Sequence, residues 1–113
     1  MTTNYQLKDN ILSALKKKSL DSDKEICGFI KFSNDCDEYF EECENLHPDP
    51  FNYFLISPRQ YIQNQNSILF HSHPKHCKSY GFSDWDLENQ KYFTLDMLLY
   101  SVNDDKFYFK KYD

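Results

Sequence analysis

The chain has 113 residues, with 13 lysines and arginines against 18 aspartates and glutamates and a formal charge of −5, so one domain is expected and phosphate backbones are repelled. Nucleic acid is excluded as a general partner. Ten phenylalanines, nine tyrosines and one tryptophan beside one valine and one alanine mean that rings must fill much of the core.

The amphipathic period of Tyr5, Leu7, Ile11, Leu12, Leu15 and Leu20 predicts a first helix over 5–20, with Lys16, Lys17 and Lys18 complementing its negative end. A strand is expected over 26–32, ICGFIKF, between turn-forming flanks. An antiparallel second strand is read over 37–46, where Tyr39, Phe40 and Cys43 would give one apolar face. His47-Pro48-Asp49-Pro50 breaks regular structure, and 51–56 regains strand composition as a third strand.

Ser57-Pro58 opens a short helix that ends in the Asn-rich stretch 63–66. The run SILF over 67–70 reads as a buried strand ending in the polar cluster His71-Ser72-His73, and a loop then leads to Phe82. At Ser83 the pattern S-D-W-D is a capping box, which predicts a helix over 83–93. Strands over 95–102 and 106–112, joined by the turn Asn103-Asp104-Asp105, close the chain as a hairpin. The fold class is α/β in the α+β sense: residues 1–113 form a single domain, a mixed sheet flanked by helices.

The N-terminal MTTNYQLKDN lacks the apolar core of an export signal, and no run approaches the ~18 to 20 apolar residues of a membrane span. A soluble cytoplasmic protein without a membrane partner is expected. In that reducing compartment Cys27, Cys36, Cys43 and Cys77 are expected as free thiols. None is spaced C-x-x-C, so neither a zinc ribbon nor a thioredoxin-type pair is indicated.

Chemistry concentrates in His71-Ser72-His73-Pro74, Ser83 and Asp86. Alternate strand residues share a face, so the two imidazoles can meet one divalent ion, and Asp86 one turn into the next helix would add a third ligand. Such a set leaves a position open for water, whose proton needs a carboxylate base, and Glu25 before the first strand is the candidate. That role requires the Glu25 strand to pair beside the His71 strand. Singly, each residue has a plainer reading: solvated histidines, a surface acid at Glu25, helix caps at Ser83 and Asp86. His76 and Cys77 lie near the set but outside it, and Cys27 reads as a small buried hydrophobe.

Glu25 in EICGFI, HSHP at 71–74 and SDWD at 83–86 together resemble the JAMM (MPN+) zinc metalloproteases, above all the small domains of phage tail assembly and their bacterial relatives. The resemblance covers roughly 25–86 and includes the stretch HPDPFNYFLISPRQYI. It implies a cytidine-deaminase-like three-layer fold, zinc (Zn2+) bound by His71, His73 and Asp86, Glu25 as general base and acid, and Ser83 steadying the oxyanion. It implies hydrolysis of an amide or isopeptide bond in a protein or peptide substrate, either a phage tail protein or a ubiquitin-like tail, in a bacterial host or encoded by a phage. Where the family usually has about seven residues between the second His and the Ser, Pro74 to Phe82 makes nine, a loop insertion of small entropic cost. A tail-assembly scaffold without activity is the alternative. H-E-x-x-H, the deaminase signature and G-x-S-x-G are all absent.

Overall fold

A computed structural model describes residues 7–33, 38–77 and 81–112. Helix α1 (Asp9–Leu20) begins later than the apolar period predicts, because Lys8 is extended and its N–H donates to Glu38 Oε1 at 2.7 Å. Tyr5 lies outside the described residues. Lys17 and Lys18 occupy the last turn, and Ile11, Leu15 and Ser19 face inward.

Five strands form one mixed sheet: β1 (Cys27–Phe32), β2 (Glu38–Cys43), β3 (Ile68–His73), β4 (Met97–Ser101) and β5 (Lys106–Lys110), in the order β2-β1-β3-β4-β5. β1 is antiparallel to both β2 and β3, β3 and β4 are parallel, and β4 and β5 form the expected hairpin. Because strand residues alternate between faces, Ile26, Ile30, Ile68, Phe70, Leu98 and Tyr100 pack on one side with Ile11 and Leu15 of α1. Cys27, Phe29, Leu69 and Met97 pack on the other with Phe54, Ile56 and Tyr61. Tyr61 belongs to α2 (Pro58–Gln63), and its ring stacks on Phe93 of α3 (Asp84–Phe93) with centroids 3.6 Å apart. The sheet thus lies between α1 on one face and α2 with α3 on the other.

Two local expectations are corrected. Tyr39, Phe40 and Cys43 do not share a face: Phe40 meets Phe70 edge-on at 5.4 Å on the α1 side, Cys43 packs on the opposite side, and Tyr39 is exposed. Their odd and even spacings make that split unavoidable in a strand. Nor is 51–56 a strand. Phe54 and Ile56 are buried as a strand's alternate residues would be, but the backbone finds Asn45 instead of a ladder. Asn45 Nδ2 donates to Tyr53 O at 2.9 Å, and Leu55 N–H donates to Asn45 Oδ1 at 3.1 Å.

The described cysteines Cys27, Cys43 and Cys77 are free, and Cys36 lies outside the described residues. Cys27 is fully buried, as a small hydrophobe would be. Among the described residues no helix is long and apolar enough to cross a membrane.

Candidate metal centre

The β1–β3 register sets Cys27 opposite His71, so two residues further along each strand Glu25 comes level with His73. The alignment is pinned there by Ser72: its N–H donates to Ile26 O at 2.9 Å and its Oγ accepts the Ile26 N–H at 2.9 Å. Glu25 N–H donates to Pro50 O at 2.8 Å, and Asn45 Nδ2 donates to Glu25 O at 3.0 Å. The backbone of Glu25 is therefore held at both its N–H and its carbonyl. Its carboxylate faces the two imidazoles.

Asp86 arrives from the other side of the cleft. Ser83 Oγ accepts the Asp86 N–H at 3.2 Å and Asp86 Oδ2 accepts the Ser83 N–H at 2.9 Å, the reciprocal bonds of a capping box. The same Oδ2 lies 3.0 Å from His71 Nε2 and 3.1 Å from His73 Nε2. Although described residues stop at Cys77 and resume at Gly81, the box still delivers Asp86 to the histidines.

One ligand atom from each of Glu25, His71, His73 and Asp86 lies within 4.8 Å of all the others, and all four side chains are buried. This group can hold a metal ion. Ligand atoms about 2.0 to 2.1 Å from one tetrahedral ion sit roughly 3.3 Å apart, close to the two separations around Asp86 Oδ2. Hydrogen bonding alone leaves the donor set incomplete. Glu25 Oε1, His71 Nδ1 and Nε2, and His73 Nδ1 are buried without a hydrogen-bond partner, an expensive arrangement unless something else satisfies them. His71 Nε2 is near the carboxylate but off the line that a hydrogen bond requires, as converging ligands would be.

The electrostatics agree. Burial, then the neighbouring carboxylate of Asp86, pushes the Glu25 carboxyl up to about 10. Burial alone would raise Asp86 too, but the His71 and His73 imidazoles more than offset it and hold that carboxyl well below the usual range. Without a cation, one carboxyl is driven towards its proton and the other away from it.

Sequence reasoning missed two supports of this site. Phe54 stacks on His71 with centroids 4.7 Å apart and planes 24° from parallel, fixing a ring whose Nδ1 has no acceptor. Asn45 closes the loop that holds Glu25. The alternation of Phe54 and Ile56 was a legible sign of burial, whereas nothing around Asn45 marks it. Of the residues set aside, His76 Nε2 lies 2.7 Å from Phe51 O, and Cys77 lines the cleft with His73 and Ser83. Phe82 is partly buried against the core, Trp85 forms the rim of the cleft, and Tyr80 lies outside the described residues. No family model matches the chain, and no curated protein is significantly similar to it.

Proposed function

We propose that the chain is a zinc-dependent hydrolase of the JAMM type that cleaves an amide or isopeptide bond in a protein or peptide. The observation that carries this reading is the convergence of His71, His73 and Asp86 beside the Glu25 carboxylate, all buried and all within 4.8 Å. Two imidazoles and one carboxylate are a hydrolytic zinc set, and a bound zinc ion supplies Lewis acidity towards water and carbonyl.

Glu25 in its ionised form takes a proton from the attacking water as the oxygen bonds to the carbonyl carbon. When the carbon–nitrogen bond breaks, Glu25 returns that proton to the leaving amine. Ser83 Oγ already accepts the Asp86 N–H, so its own hydrogen is free to be donated to the carbonyl oxygen as charge develops there. Phage or prophage tail assembly is the first context for the substrate, and processing of a ubiquitin-like protein the second.

Elemental mass spectrometry on purified protein tests the metal, with about one zinc per chain expected in the wild type and loss in His71→Ala, His73→Ala and Asp86→Ala. Glu25→Gln should keep zinc and lose at least ~100-fold in turnover, the usual contribution of a general acid–base. Absence of zinc after supplementation, or full turnover by Glu25→Gln, would overturn the reading.

A further inference from the structure

We infer that the cleft beside the metal group carries a subsite for a cationic side chain, lysine or arginine, next to the bond that is cleaved. Tyr53 and Trp85 form its aromatic wall and Asp84 its counter-charge. The inference rests on the hydrolase reading only in taking the bound side chain to be the substrate's.

The cleft encloses about 470 Å³ and reaches from His73 and Ser83 outward past Tyr53, Trp85, Asp84 and Asn52. Its wall is built before any ligand arrives. Tyr53 and Trp85 meet at 5.6 Å with planes 70° apart, and His47 packs on both at 4.8 and 5.5 Å. The indole N–H of Trp85 donates to Phe54 O at 3.0 Å, which fixes that ring. Yet Tyr53 remains 40 % and Trp85 37 % exposed, so the rings offer open surface to the cavity. A rigid wall spares a ligand most of the ordering cost of binding.

Charge selects what binds there. Asp84 is exposed at the first position of α3, and among the described residues it makes no ion pair and no lysine or arginine lines the cavity. An anionic side chain would face Asp84 and a chain of charge −5. An aliphatic one would gain the rings but take water from Asp84 and Asn52 without replacing its hydrogen bonds. A guanidinium or ammonium gains the ring faces and the carboxylate together. The fold already uses the first of these contacts elsewhere, with Lys24 Nζ 5.7 Å from the Phe51 ring centroid and Lys31 Nζ 5.9 Å from that of Tyr39.

The chain has one tryptophan, so intrinsic fluorescence reports from Trp85 itself. The full chain, zinc-free and zinc-loaded, would be titrated at low salt with acetyl-Gly-Gly-X-Gly-Gly-amide, where X is arginine, citrulline or leucine. The arginine peptide should change the emission saturably, with a Kd about fivefold below that of the isosteric, uncharged citrulline peptide, as a partly exposed ring contact and ion pair imply. Asp84→Asn should shrink that ratio to about twofold while melting as the wild type does. Equal Kd values for arginine and citrulline, a tighter leucine peptide, or no emission change with any peptide would each overturn the subsite. An arginine preference in a protein that takes up no zinc would leave the subsite standing and sink the hydrolase reading. Zinc and turnover without that preference would do the reverse.

Discussion

Glu25 is buried, faces another carboxylate, and has an oxygen with no hydrogen-bond partner. Without a cation these features favour its protonated form, with a pKa raised from 4.5 to about 10. The raised value means that the folded chain holds a proton which the unfolded chain releases, so this stabilising contribution is complete below pH 4.5 and is lost as pH climbs towards 10. Asp86 acts in the opposite sense: its pKa is lowered, so its contribution is present above the ordinary carboxylate range and lost only on acidification. Between about pH 5.5 and 8.5 Glu25 therefore contributes a downward slope. In chelator-treated protein the melting temperature should fall across that window, and Glu25→Gln should flatten the fall and melt about 5 °C or more above wild type at pH 8.5. Differential scanning fluorimetry measures both, and an unchanged slope in the variant would show that Glu25 is not the titrating group. His71 and His73 were legible because alternate residues of one strand share a face, and Asp86 because a capping box fixes it at the start of a helix, while Glu25 depended on which strands pair. Asn45 and Phe54 were not legible, because what they do is decided by a backbone carbonyl at Glu25 and a ring at His71 that folding brings to them.

The same division between local and distant signals holds for the elements. Helix α3 was readable because its start is written in four consecutive residues, Ser83 to Asp86, whose side chains and backbone satisfy one another. The pairing of β1 with β3 could only be supposed, since a ladder leaves no mark in either strand alone. The stretch 51–56 had strand composition but forms no strand: Phe54 and Ile56 are buried while the backbone joins no ladder. The capping box also does two things at once, starting a helix and orienting a ligand. Ser83→Ala should therefore lower stability by about 1 kcal/mol, seen as a melting temperature roughly 4 to 8 °C lower, and should weaken zinc binding in a competition titration against a chelating dye. Ser83→Thr, which keeps the accepting oxygen, should restore both. Wild-type melting and zinc affinity in Ser83→Ala would mean that something other than the box positions Asp86.

At the scale of the molecule, the metal group draws on Glu25 two residues before β1, on the end of β3 and on the first turn of α3, while the loop from Asn45 to Tyr53 braces Glu25. Strands β1 and β3 lie in the middle of the sheet, with hydrophobic clusters on both faces. His71 and His73 therefore sit on a strand that is not an edge of the sheet. A ligand that binds only the folded chain stabilises it by about 2.7 kcal/mol at one hundred times its Kd, which for a domain of this size corresponds to a rise in melting temperature on the order of 10 °C. Because the candidate ligands join the end of a central strand to the helix between β3 and β4, that rise should move a single calorimetric transition intact. Scanning calorimetry with chelator and then with zinc tests it. A transition that splits in two would mean that the site stabilises only part of the fold, and one that does not move would mean that His71, His73 and Asp86 hold no zinc.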